Sequence, residues 1–271
     1  MTSHDVVLKV RRALGIKAVG HTGTLDPFAS GVMVLVLGSA TRLARFIEQD
    51  TKEYTATARL GSETSTDDLT GVVTSESEVV VADLQEEQID RELQGLTGAI
   101  EQLPPAYSAK WVGGTRSYTL ARRGEVVPLQ PVTVQVASLK IVSWRPPDLE
   151  FKAVVGAGTY LRALARDLGR RLGTGAHLRA LRRDAVGFWR SKDAVALTEL
   201  SAKVNLINPS SLLESLPLVE LSEVELRQVS HGVLVPRPDT FGRARLEYEG
   251  RLVAVGEARA VGWHPIVVLN S

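Results

Sequence analysis

The sequence predicts an α+β fold: a mixed, largely antiparallel sheet with flanking helices, followed by a small β-rich domain. Three observations carry this. Strand-like and helix-like segments follow one another without the steady strand–helix–strand rhythm of a parallel sheet. The stretch KEYTATARLG alternates with period two, placing Tyr54, Ala56, Ala58 and Leu60 on one face and Thr55, Thr57 and Arg59 on the other. After NPSSLLESLP the texture changes to short apolar runs (RARLEYEG, RLVAVGEA, HPIVVLN) with one helical start, LSEVELRQVSHG. The predicted division is a main domain over 1–213 and a β-rich domain over 219–271.

Taken in order, TSHDVVLKVRRALG reads as a helix, with Thr2 or Ser3 as cap, Val6, Val10 and Leu14 on one face and Gly15 to close it. GVMVLVLG, bounded by Gly31 and Gly38, reads as a buried strand, and SATRLARFIEQ as a helix capped by Ser39. STDDLTG is a polar turn, and Asp83 to Leu96 an amphipathic helix. Pro128 to Trp144 and LEFKAVVGAG return to strand periodicity. In TYLRALARDLGRRLG, Leu161, Leu164, Ala165 and Leu168 share one helical face, while Arg162, Arg166 and Arg170 form a second, cationic stripe at spacings of four.

Between these lies EQLPPAYSAKWVGGTRSYTLARRGEVVP, an insertion over about 102–130 with a Pro-Pro and a Gly-Gly pair. It interleaves Tyr107, Trp111 and Tyr118 with Lys110, Arg116, Arg122 and Arg123. Rings stack on bases and cations hold phosphates, so this mixture suits single-stranded RNA.

Composition excludes several classes. There is no cysteine, hence no disulfide or thiolate metal site, and five scattered histidines show no HxH or HExxH spacing, so no metal is expected. Neither a signal peptide nor an apolar run of about 18 residues is seen, which points to a cytoplasmic chain without membrane insertion. Net charge is only +1, but Gly158 to Arg190 holds eight arginines against Asp167 and Asp184, a local +6 that reads as an electrostatic footprint for phosphates. GAGTYL lacks the third glycine of a dinucleotide loop, and no GKS, GKT or GxSxG occurs. Asp67 and Asp68 sit in STDDLTG, where a turn is the better reading than a metal site.

What remains is GHTGTLDPFASG, Gly20 to Gly31. A lone Asp-Pro usually starts a turn. Here Asp26 lies between a helix and an apolar strand, among glycines that allow close approach of a ligand, and a carboxylate can act as nucleophile at a sugar carbon.

Five stretches in order (MTSHDVVLKVRRALG, VGHTGTLDPFASGVMVLVLGSATRL, KEYTATARLGSETSTDD, PPAYSAKWVGGTRSYTLARRG and GAGTYLRALARDLGRRLGTGAHLRALRR) resemble the TruB-type tRNA pseudouridine synthases over nearly the whole chain. The resemblance implies a pseudouridine-synthase sheet, a PUA-like C-terminal domain, and isomerisation of uridine 55 in the T-arm loop of tRNA without cofactor or metal. It implies that Asp26 is the catalytic aspartate, that Tyr54 stacks on the target uracil, and that Arg162 pairs with the aspartate to keep it ionised and oriented. Tyr160 and Leu181 resemble the lining of the base pocket, and His21 the residue that fills the place of the flipped base. The insertion resembles an RNA-clamping thumb, which makes Tyr107, Lys110, Arg116 and Tyr118, with Arg166 from the cationic stripe, expected substrate contacts. The expected partner is the tRNA T-arm stem-loop, bound by a monomer. The alternative is a non-catalytic T-arm binding and folding chaperone. Three departures from the family pattern stand out: no strand with Asp-Lys-Pro precedes the first helix, so an exposed sheet edge is expected; Thr115 stands where lysine is common; and TST replaces TDT at Thr64 to Thr66.

Overall fold

A computed structural model of the chain describes residues 1–47, 51–108, 110–237 and 240–269. The chain forms two compact units, each assembled from several stretches: Met1–Ser3, Thr24–Val34 and Gln49–Ala194 make the first, and His4–Gly23, Leu35–Glu48 and Val195–Ser271 the second.

The first unit is built on a seven-stranded sheet, ordered Trp189–Arg190, Ala176–Val186, Lys52–Leu60, Asp148–Val155, Val132–Arg145, Gly98–Gln102, all antiparallel. The short strand Ser30–Gly31 joins Ala176–Val186 in parallel, which makes the sheet mixed. Lys52–Leu60 alternates as expected, with Tyr54, Ala56, Ala58 and Leu60 buried. Its inward face, with Phe151 and Leu149, packs against Leu161, Leu164, Ala165 and Leu168 of the helix Leu161–Arg171. Gly169 lets that helix lie on the turn that follows it, since a Cβ there would overlap the backbone of Gly175 and Ala176.

Three elements depart from the sequence reading. GVMVLVLG is not one strand: Ser30–Gly31 pairs in the first unit and Leu35–Leu37 in the second. SATRLARFI forms a 3₁₀ turn, Gly38–Leu43, before a single α turn, Ala44–Ile47, and the end of that predicted helix lies outside the described residues. The predicted helix at 83–96 is α-helical over Glu86–Gln94, after a 3₁₀ turn at Val81–Asp83.

In the second unit, the helix Ser3–Leu14 buries Val7 and Val10 against Val19, and the strands Val19–His21 and Leu35–Leu37 pair antiparallel. The β-rich end is a five-stranded sheet ordered Leu218–Glu220, Arg243–Tyr248, Arg251–Arg259, Gly262–Val268, Val235–Pro236. A helix, Glu223–Ser230, starts on a capping box in which Ser222 and Glu225 satisfy each other's backbone N–H. No helix among the described residues is long and apolar enough to cross a membrane.

Candidate active site

Asp26 sits in the loop that leads into Ser30–Gly31, its carbonyl closing a turn with the N–H of Ala29 at 3.0 Å. The residue before it is clamped. Ser3 Oγ accepts from the Leu25 N–H at 2.9 Å and donates to the Leu25 carbonyl at 3.1 Å, both groups buried. Of the two expected helix caps, Thr2 and Ser3, the Ser3 hydroxyl is spent on Leu25 instead. On the far side of the loop, Gly31 (φ 107°) lies so close to Arg183 that a Cβ would overlap the Arg183 backbone.

Arg162, on the first turn of its helix, meets Asp26 as a two-point fork: Nε donates to one carboxylate oxygen and Nη2 to the other, both at 2.9 Å. Its side chain is 5% exposed, that of Asp26 27%, so the pair is anchored from the buried side and open on the carboxylate side. The guanidinium also donates to the carbonyls of Thr66 and Tyr107, each at 2.9 Å, and lies 3.7 Å from the Asp68 carboxylate. Four fixed acceptors leave this planar fork little freedom. The turn that supplies two of them is itself rigid. Asp68 accepts from the Thr66 hydroxyl and the Thr70 N–H, Thr64 Oγ1 donates to the Asp68 carbonyl, and Leu178 exchanges backbone hydrogen bonds with Asp67 and Leu69. Asp67 takes a left-handed conformation (φ 58°), which aspartate tolerates better than most residues.

Arg166, four residues on, is equally buried and turned inward, donating to Asp67 at 2.9 Å, to Asp167 at 3.0 Å and to the Leu103 carbonyl at 2.8 Å. Burial nonetheless outweighs the ion pair and pushes the Asp67 carboxyl above its ordinary value. Arg170 forks onto Glu63 and, through that hydrogen bond, holds the Glu63 carboxyl below its ordinary value against the smaller upward push of burial.

The arginine block is therefore extensively paired: Arg162, Arg166 and Arg183 are buried, while the other five remain about half exposed. Arg171 pairs with Glu92, Arg179 with Asp148, Arg182 with Asp184 and Arg190 with Glu53, while Arg183 is 2% exposed and donates to the Val32 carbonyl at 2.8 Å. The sequence count included Asp184 but not Glu92, Asp148 and Glu53, which a helix and two strands bring from other parts of the chain.

Tyr54 is 8% exposed and stands across the ladder from Arg183. Burial pushes its phenol above the ordinary value, Arg183 pulls it down by charge and hydrogen bond, and the charge of Asp26 adds a further upward push. Leu181, buried opposite Ala56, belongs to the same apolar cluster as Tyr54, Leu25 and Leu161. Tyr160 is half-buried at the N-cap of the Arg162 helix. His21 lies in the second unit, on Val19–His21 opposite Leu35.

The insertion carries a two-stranded hairpin, Trp111–Val112 with Thr115–Arg116, and a helix, Ser117–Arg122. Arg116 lies 4.3 Å over the exposed Trp111 ring and Arg122 lies 5.6 Å over Tyr118. Lys110 is half-buried, its carbonyl accepting from the Ser117 N–H. Tyr107 reaches the site by its carbonyl rather than its ring, and its hydroxyl turns to the Ala121 carbonyl at 3.5 Å. Among the described residues no group of three or more His, Asp or Glu is arranged to hold a metal ion.

A carboxylate forked by a buried guanidinium, with a buried phenol close enough to feel its charge, is an arrangement able to serve carboxylate-dependent catalysis. A family profile described as TruB family pseudouridylate synthase (N terminal domain) matches residues 11–161, and one described as tRNA pseudouridylate synthase B C-terminal domain matches residues 162–229. The tRNA pseudouridine synthase B of Deinococcus radiodurans is 39% identical over 94% of this chain and 92% of its own length. That of Synechocystis sp. is 45% identical over 88% of this chain and 83% of its own. The chain belongs to the TruB family of pseudouridylate synthases. Its fold also matches a chain in the crystal structure of a Cbf5–Nop10–Gar1 complex, with TM-score 0.72 and 24% identity over all of this chain and 82% of that one.

Proposed function

We propose that this chain isomerises uridine to pseudouridine in tRNA, at position 55 of the T-arm loop, using Asp26. Membership of the family supports the reaction, and the observation that carries the assignment of Asp26 is its fork with Arg162. The chemistry breaks the bond between N1 of uracil and C1′ of ribose, turns the base and forms a bond from C5 to C1′. The C5 proton leaves and N1 gains one, so atoms balance without a co-reactant. Asp26 acts at the ribose, by attack on C1′ or as a base, and both routes need its carboxylate aimed and held, which is the task of Arg162. Tyr54 stacks on the uracil and serves in C5 deprotonation, Tyr160 and Leu181 line the base pocket, and His21 occupies the place of the flipped base. Tyr107, Lys110, Arg116, Tyr118 and Arg166 serve RNA binding, Tyr107 and Arg166 by shaping the base of the insertion. The catalytic domain runs over 1–213 and a PUA-like RNA-binding domain over 219–271, in a cytoplasmic monomer.

The test is tritium release from an unmodified tRNA transcript labelled at uridine C5. Release by the parent and none by Asp26→Asn, with tRNA still bound by both, is the expected result. Binding without release by the parent sinks the proposal and leaves a tRNA-binding protein.

A further inference from the structure

Gln102 is a polar side chain with no exposure at all, at the end of the strand Gly98–Gln102 where the insertion begins. Its amide makes two bonds to one residue. Oε1 accepts from the Tyr160 N–H at 2.8 Å and Nε2 donates to the Tyr160 carbonyl at 3.1 Å. Only one orientation of the amide satisfies both groups. Tyr160 is the N-cap of the helix that carries Arg162, it provides no side-chain cap of its own, and its carbonyl already accepts the first helical bond from Leu164. The adjoining chain is tied to the same helix, Leu103 to Arg166 and Tyr107 to Arg162, through their carbonyls.

We infer that Gln102 is a positioning residue for the reaction: its amide fixes the start of the Leu161–Arg171 helix, and thereby the aim of the Arg162 fork at Asp26. The inference rests on the proposed isomerisation. An apolar residue of the same length would fill the space and take these partners from two part-buried backbone groups of Tyr160, leaving the carbonyl only its Leu164 bond. The helix start would then relax, and displacements of about 1 Å at such a site cost on the order of 100-fold in rate.

The experiment compares the parent with Gln102→Met and Gln102→Glu in single-turnover tritium release at saturating enzyme, alongside tRNA affinity. Gln102→Met is expected to lower the rate at least about tenfold while affinity stays within about twofold. Gln102→Glu keeps the acceptor for the Tyr160 N–H but has a donor for the carbonyl only when protonated. Its rate, relative to the parent at each pH, therefore rises as pH falls while circular dichroism shows the variant folded at every pH used, which separates positioning from loss of the fold. A second readout is independent of turnover: the Arg162 Nε–H resonance in ¹⁵N-arginine spectra, assigned by its loss in Arg162→Lys, exchanges faster with solvent in Gln102→Met than in the parent. A parental rate in Gln102→Met, or a Gln102→Glu profile parallel to the parent's, overturns the inference. A parent that binds tRNA but releases no tritium refutes the proposed function instead, and the exchange rate of Arg162 then decides on Gln102.

Discussion

Arg183 faces Tyr54 across two antiparallel strands, and one guanidinium serves both the phenol and the loop that carries Asp26. It hydrogen-bonds Tyr54 and opposes the burial that raises the tyrosine's pKa. It also donates to the carbonyls of Val32 and Thr24, which flank Asp26 on either side. Two groups far apart in the chain, Asp26 and Tyr54, thus share a support.

Asp26→Asn is expected to lower turnover by on the order of 10²–10⁴ while tRNA affinity persists. The fold survives, because Arg162 keeps the Thr66 and Tyr107 carbonyls and Asp68 nearby. With Asp26 partly open to solvent, the stability cost is about 1–3 kcal/mol, below that of breaking a fully buried pair. Arg162→Lys, which keeps the charge but cannot make the fork, is expected to lose about 100-fold in rate. Thermal melts and single-turnover rates check both.

The phenol of Tyr54 is expected to ionise after an ordinary tyrosine, since burial sets the upward direction. Its folded pKa exceeds its unfolded one, so the unfolded chain loses its proton first as pH climbs past about 10. Stability present below that pH is lost between there and the folded pKa. Ultraviolet difference titration of parent minus Tyr54→Phe should show a late step, and the parent's melting temperature should fall more steeply than the variant's in that range. An early step would contradict burial as the dominant cause.

Gly31→Ala is expected to destabilise by about 1–3 kcal/mol and to lower turnover, because a Cβ would collide with the Arg183 backbone and the residue sits at φ 107°. Gly20→Ala is the control. There the added methyl meets Val36 Cγ2 at an ordinary 3.6 Å, and no loss beyond about 1 kcal/mol should appear in a melt.

On the insertion, Trp111→Ala should weaken tRNA binding by about 1–3 kcal/mol, the usual worth of one stacked base, and leave the melting temperature nearly unchanged since the residue is 59% exposed. Arg116→Ala should reduce the salt slope of binding by about 1 if its cation meets a phosphate. Equal affinity in both variants would remove this hairpin from the RNA contact.

Where periodicity reports packing directly, the fold was legible. Lys52–Leu60 alternates because one face is buried, and Leu161–Arg171 shows its apolar stripe because one face meets the sheet. The strand Ala176–Val186 was not foreseen. AHLRALRRDAV is rich in helix formers, and two bulges, between Leu178 and Ala180 and between Arg183 and Ala185, put Leu178 and Leu181 on the same side at a helix-like spacing of three. A central place in the sheet overrode propensity. The apolar run GVMVLVLG gave no sign of its division between two sheets, since periodicity carries no partner information. In the candidate site, the pairing of Asp26 with Arg162 was expected from the family pattern, and the two side chains do meet; the contacts of three other residues were not foreseen. Those of Ser3, Gln102 and Arg183 went unseen because each side chain bonds backbone groups remote in sequence, and a residue type alone does not reveal such a partner.

The guanidiniums of Arg162 and Arg166 end on carbonyls of the insertion's own stalk, Tyr107 and Leu103. The insertion is consequently not a detachable cassette. A chimera that exchanges residues 104–129 for those of a relative inherits a foreign backbone at Tyr107 and must find the Arg162 fork at the same height. Exchange of the stalk, the 64–70 turn and the helix together would preserve the register, so the natural unit of transplantation is this three-part frame.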